Sequence, residues 1–273
     1  MLRILLELLA AVIFWIVSTR VGPDLNPELK GMAIGTSVAF LIESIVWLYR
    51  EKKYLGLYLT TLKPIGRKEL RLTIAYLFKI ESKGKYLLVK SNRIKNLYQP
   101  VGGVYKYFEP EAKRRLEKMG IITDGKMPVD EDNEFDLRLE MKSRIQLRSF
   151  LKWFHSKEQR EIDPWREFFE ELVQPGILPK EDFGFIYSEL IGEHFDPIHY
   201  DQVYSIYTFK YADIYRPRYV NDAQRQIIAD LQNRTSSEYI WATEAEIMRG
   251  RTEEGMQIAE HTRKIFCVKR ITK

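Results

Sequence analysis

Residues 164–173, Pro-Trp-Arg-Glu-Phe-Phe-Glu-Glu-Leu-Val, constrain this 273-residue chain more than any other stretch. Asp163-Pro164 is a helix start, with an Asp side chain to accept from first-turn amides and a proline whose fixed φ suits the first helical position. Gln174-Pro175-Gly176 is a stop. On the short helix so bounded, Glu167, Glu170 and Glu171 stand at i, i+3 and i+4 on one face. Trp165, Phe168, Phe169 and Leu172 cover the rest and anchor it to a core. Carboxylates clustered this way repel one another unless a hard cation or a basic group sits among them. Acidic and aromatic residues alternate on many surface helices, so this stretch needs a second one to give it meaning.

Gln99-Pro100-Val101-Gly102-Gly103 is the second. A Gly-Gly turn leaving a strand lets the backbone approach a phosphate or metal closely, because no Cβ blocks it. Glu109 follows Gly103 downstream. Together the pieces resemble the Nudix box, in which a glycine and a glutamate are followed by R-E-(apolar)-x-E-E-x-G. Gly103, Glu109, Arg166, Glu167, Phe168, Glu170 and Glu171 fit that order. The resemblance implies a diphosphate-cleaving site with magnesium or manganese held by Glu170 and Glu171, and with Glu167 orienting water or acting as base. Two departures weigh against hydrolysis. The box is split, with about fifty residues between Glu109 and Arg166. Val173 stands where the family has glycine, and Gly176-Ile177 is the nearest replacement.

The flanking pattern predicts an α/β sandwich with a mixed sheet. Leu70 to Ile80 reads as a strand, Ser82-Lys83-Gly84-Lys85 as a hairpin turn and Tyr86 to Lys90 as its partner. Phe183 to Ile191 and Gln202 to Tyr211 read as a further strand pair, Glu238 to Thr243 as a late strand entering a helix, and Gly255 to Ile265 as a last helix. An α+β insert at about residues 110–162 splits the box: a charged helix at Glu111 to Met119, a loose acidic loop at Asp124 to Asn133, alternating apolar residues Phe135, Leu137, Leu139 and Met141, and an amphipathic helix carrying Leu147, Phe150, Leu151 and Phe154. From about Leu70 to the C-terminus, this order is similar to the Nudix domain associated with nucleotidyltransferases of bacterial cyclic-oligonucleotide anti-phage (CBASS) systems.

Residues 1–55 have a different character. Ile4 to Val17 and Gly31 to Tyr49 are apolar runs separated by a short polar segment, and the second approaches the ~20 residues that cross ~30 Å of hydrocarbon. They predict a transmembrane helical hairpin. Arg50, Lys52 and Lys53 place the soluble domain, residues 56–273, in the cytoplasm. Gly31, Gly35, Ala39 and Glu43 recur every four residues along the second run as a candidate membrane interface for helix association, with Glu43 a membrane-depth acid or one that snorkels toward Arg50.

The formal net charge is +5. Lys79, Lys83, Lys85, Lys90, Arg93 and Lys95 cluster around the first hairpin, where Arg93 with Gly102 and Gly103 forms a candidate site for an anionic nucleotide; a solvated strand edge carries the same charges. A single cysteine, Cys267, excludes internal disulfides and thiolate zinc sites. His194 and His199 belong to a loop between strands and suit structural roles.

The family resemblance implies a receptor-effector of the bacterial inner membrane. It would bind a cyclic nucleotide, form a homo-oligomer and disrupt the lipid bilayer, served by a nucleotidyltransferase of the same system and without DNA or RNA as partner. The competing readings are a membrane-anchored Nudix diphosphohydrolase and a scaffold in which the domain only mediates contacts.

Overall fold

The computed structural model describes residues 12–13, 15–16, 26–51, 54–62, 69–126 and 133–266. The chain divides into two compact units, Met1–Leu62 and Lys63–Lys273.

In the first unit, α1 spans Asn26–Glu51 and α2 spans Leu55–Leu62. Among the described residues no helix is long and apolar enough to cross a membrane, so the expected transmembrane hairpin is not found. Between Gly31 and Tyr49 the one charged residue of α1 is Glu43. Most of the first apolar run lies outside the described residues, as do Lys52 and Lys53. Gly31, Gly35, Ala39 and Glu43 all lie on α1, and open space surrounds the two glycines.

The second unit is a sandwich of two mixed sheets. In the larger, the strand order is β6 (Ile121–Thr123), β7 (Arg138–Met141), β1 (Leu70–Phe78), β10 (Ile206–Arg218) and β8 (Tyr187–Phe195), with β5 (Gly102–Val104) also on β1 and β9 (His199–Asp201) on β10; in the smaller it is β11 (Tyr239–Thr243), β3 (Lys85–Lys90), β4 (Leu97–Gln99) and β12 (Gln257–Ile258), with β2 (Glu81–Ser82) on β3. β1 (Leu70–Phe78) and β10 (Ile206–Arg218) lie side by side and parallel at the centre, and both are buried along most of their length. Leu77, Ala212 and Ile214 from the larger sheet pack against Tyr86, Leu88, Tyr98, Ile240 and Ala242 from the smaller one, closing the core. The strand after Leu70 and its neighbour at Lys85–Lys90 (β3) form as expected, but they are not hairpin partners. The chain changes sheets between them: Lys79 N–H still donates to Tyr215 O at 2.8 Å, whereas Ile80 O already accepts from Leu87 N–H at 3.0 Å. β3 pairs instead with the two-residue β2 (Glu81–Ser82) and with β11 (Tyr239–Thr243).

The downstream strand pair also forms, some residues later than expected, as β8 (Tyr187–Phe195) and β10 in antiparallel register. Thr243 and Glu246 make a reciprocal capping box that starts the short helix Glu244–Arg249. The expected last helix is replaced by β12 (Gln257–Ile258) and a 3-10 turn at Glu260–Ile265. Gly255, at φ +88°, turns the chain so that β12 can pair with β4 (Leu97–Gln99).

The insert is built into the larger sheet. β5 (Gly102–Val104) pairs with Ala75 to Leu77 of β1, and insert strand β7 (Arg138–Met141) pairs with Leu70 to Thr73 on the same edge; β6 (Ile121–Thr123) extends the sheet outward. Phe108 N–H donates to Gln159 O at 2.9 Å and Glu161 N–H to Lys106 O at 2.8 Å, so the chain leaves after Tyr107 and returns at Arg160. The helix Leu147–Ser156 buries Leu147, Phe150, Leu151 and Phe154, the side chains whose spacing announced it.

Candidate functional site

The box helix begins as expected: Asp163 Oδ1 accepts from Trp165 N–H at 3.0 Å. It runs as α-helix over Trp165–Phe168 and then widens into a π turn at Phe169–Val173, with Gln174 N–H donating to Phe169 O at 2.8 Å. That extra residue accommodates Val173, which is buried, and the positive φ falls on Gly176 at +76°. Phe168 anchors the helix between Phe78 and Phe183.

The two sequence signals meet across β5. A Cβ on Gly103 would lie 1.8 Å from Glu167 Oε1, and one on Gly102, whose φ is +148°, would lie 2.2 Å from the carbonyl oxygen of Tyr76. At the first a Cβ would displace the Glu167 side chain, and at the second fixed backbone requires glycine. Gly102 N–H donates to Glu171 Oε2 at 2.9 Å.

Arg166 organises the acids. Its Nη1 donates to Glu167 Oε1 at 2.7 Å and to Glu170 Oε2 at 3.3 Å, its Nε to Glu161 Oε1 at 3.1 Å, and its Nη2 to Val104 O at 3.0 Å. Of the two partners open to this carboxylate face, a hard cation or a basic group, a basic group is seated here. Burial pushes the Glu171 carboxyl up to about 8, with the Gly102 amide opposing. Burial also raises Glu161 and Glu170 despite Arg166. Among the described residues no group of three or more His, Cys, Asp or Glu stands ready to hold a metal ion. Glu161, Glu167 and Glu170 share one guanidinium, which offsets a single charge among them, and Glu171 accepts from a backbone amide, so the Glu170 and Glu171 carboxylates expected to hold magnesium or manganese are each turned to a partner within the protein.

A cleft of about 840 Å³ opens over this arrangement. Arg93, Gly102, Gly103, Glu167, Glu170 and Glu171 all line it, so every expected site residue of the second unit is brought to one place. Arg93 is exposed on a turn pinned by Ser91 Oγ, which accepts from the amides of Arg93 and Ile94 at 3.3 Å each. Lys106, Arg138, Lys210 and Lys264 line it too, Lys264 paired with Asp196 at 2.6 Å, Arg138 with Asp136 at 3.3 Å and Lys210 with Asp201 at 3.7 Å. The remaining basic residues of the first hairpin go elsewhere: Lys79 lies over the Phe266 ring at 4.5 Å and Lys90 pairs with Glu238 at 3.4 Å. Glu109 pairs with Lys113 at 2.6 Å and is not among the residues lining the cleft, so the fit of Glu109 to the box is in sequence order only.

Sequence reasoning missed Glu161, whose carboxylate holds Arg166 and accepts from Lys106 N–H at 3.2 Å. Its position just ahead of the Asp163-Pro164 start was the available signal. Asp136 and Arg138 carried no local signal, because a long-range pairing with β1 brings them to the cleft. Beneath Tyr211, another lining residue, its hydroxyl meets Glu193 Oε2 at 2.8 Å and Asp213 Oδ1 at 2.9 Å. Burial raises the Asp213 carboxyl.

A search of curated proteins gave no match for this chain. Residues 69–266 match the SMODS-associated NUDIX domain, and with more than half its length covered the chain belongs to that family.

Proposed function

We propose that the protein is an effector of a CBASS-type anti-phage system whose Nudix-like domain senses a cyclic nucleotide made by a partner nucleotidyltransferase. The observation that carries this reading is the convergence, in one cleft, of the Gly102-Gly103 turn with Arg93, Lys106, Lys210 and Lys264. Cations and close-approach backbone suit phosphates. The commitment of Glu161, Glu167 and Glu170 to Arg166 favours binding over hydrolysis.

The output lies in the first unit. α1 leaves Met32, Ile34, Leu41, Ile42 and Ile45 more than half exposed, apolar surface that a lipid bilayer or other copies of the chain would cover. Ligand binding gathers subunits at the bacterial inner membrane, and the stripe Gly31, Gly35, Ala39 and Glu43 packs helix against helix. Dye release from liposomes carrying the full chain tests this reading. Cyclic nucleotide should trigger leakage, Ala39→Leu and Glu43→Leu should lose it, and Val38→Leu should retain it. Full leakage from both stripe variants refutes the helix-packing role. A metal-dependent hydrolase is the second reading, favoured by the presence of Glu167, Glu170 and Glu171 in the same cleft.

A further inference from the structure

Three residues lining the cleft, Asn133, Asp136 and Arg138, come from the insert. Asp136 forms a backbone bridge to Lys106, and Arg138 follows two residues later, so their side chains leave the strand on one face. Asp136 is buried, and Arg138 is four-fifths so. Their closest atoms, Arg138 Nη1 and Asp136 Oδ2, are 3.3 Å apart, yet that buried Nη1 has no hydrogen-bond partner. A guanidinium with a donor left over and a carboxylate thus stand side by side in the wall of a ligand-sized cleft.

A phosphate is a poor occupant at this point, since it would sit against the Asp136 carboxylate. A planar group that presents donors to the carboxylate and an acceptor to the guanidinium suits it better. Of the common bases, guanine presents two adjacent N–H donors beside a carbonyl oxygen; adenine offers an amine beside a bare ring nitrogen, and uracil one N–H between two carbonyls.

We propose that the insert reads a guanine base in the nucleotide, with Asp136 accepting from N1–H and the exocyclic amine and Arg138 donating to O6. This deepens the nucleotide-sensing reading and rests on it. The insert then sets base identity, while Arg93 and the Gly-Gly turn serve the phosphates. It also accounts for why an insertion that interrupts the box is woven into β1 rather than held away from it.

Isothermal titration of the full chain with cyclic di-GMP, cyclic di-AMP, GTP and ATP is the test. The guanine ligand should bind at least about tenfold tighter than its adenine counterpart in one pair or both, the worth of one well-made bidentate base contact. Asp136→Asn keeps the shape and replaces half of the acceptor with a donor; it should weaken the guanine ligand about tenfold or more and leave the adenine ligand within about twofold. Arg138→Gln should act in the same direction. An adenine preference, or equal loss for both bases in Asp136→Asn, overturns the assignment. If Arg93→Glu abolishes binding of both bases while Asp136→Asn changes nothing, the base-reading role fails and the cleft remains a nucleotide site. Failure of all four ligands to bind overturns the guanine assignment, and the nucleotide-sensing reading falls with it only if a wider panel of cyclic di- and trinucleotides also fails to bind.

Discussion

Alanine at Gly103 probes the approach of the box helix to β5. The added Cβ would stand 1.8 Å from Glu167 Oε1, 2.2 Å from its Cδ and 2.8 Å from its Cγ, so the Glu167 side chain must swing away. That breaks its 2.7 Å bond with Arg166, a charge-assisted contact in which both side chains are largely shielded. A hydrogen bond of this type is worth ~1.5–3 kcal/mol, and lost packing adds to it, so Gly103→Ala should destabilise the protein by about 2–3 kcal/mol. In a Glu167→Ala background the obstruction is gone. Gly103 does not occupy the left-handed region, so there alanine should be neutral or stabilise by ~0.4–1 kcal/mol through the unfolded chain. The cycle predicts a coupling of roughly 2–4 kcal/mol. Urea unfolding of the four proteins measures it. An equal cost of Gly103→Ala in both backgrounds would refute the close approach of the box helix to β5.

Other expectations follow from the same geometry. Gly102→Ala meets the Tyr76 carbonyl at φ +148° and should cost more than ~3 kcal/mol by urea unfolding, with no rescue by Glu167→Ala. With the Glu171 carboxyl pushed up to about 8, the native state holds a proton that the unfolded chain has released. Stability should therefore fall as pH rises from ~4.5 toward 8, and Glu171→Gln should flatten that slope, gaining on the order of 2–4 kcal/mol by pH 8; parallel slopes in parent and variant would contradict it. Arg166→Met leaves Glu161, Glu167 and Glu170 without their cation and should cost ~3–5 kcal/mol at pH 7 but less at acid pH, where Glu161 and Glu170, both raised by burial, take up protons. With magnesium or manganese and nucleoside diphosphate derivatives, turnover should stay well below ~1 s⁻¹; turnover above that, lost in Glu170→Gln and Glu171→Gln, would restore the hydrolase reading.

What the sequence made legible was local. The Asp163-Pro164 start and the apolar spacing of Trp165, Phe168 and Leu172 act within two turns of chain, and the box helix formed where they put it. The Thr243-to-Glu246 capping box is equally short-range. Lys83-Gly84 announced a turn but not which strand would cross the sandwich, because the switch at Lys79-Ile80 depends on β10 and β3 competing for neighbouring backbone groups. The six basic residues near the first hairpin looked like one patch, yet alternation and the sheet switch sent only Arg93 to the cleft. Glu161, Asp136 and Arg138 are cleft or box residues only because the insert returns beside Lys106 and pairs with Leu70 to Thr73. No periodicity records a contact of that kind.

The central claim is that the cleft binds an anionic nucleotide through Arg93 and the Gly102-Gly103 turn. Isothermal titration of the full chain with a panel of cyclic di- and trinucleotides, repeated on Arg93→Glu, tests it most directly. At least one ligand should bind the parent, and charge reversal should cost ~1.5–3 kcal/mol, about tenfold or more in affinity, with the melting temperature of the free protein unchanged. Absence of binding across the panel, or unchanged affinity in a folded Arg93→Glu variant, would contradict it.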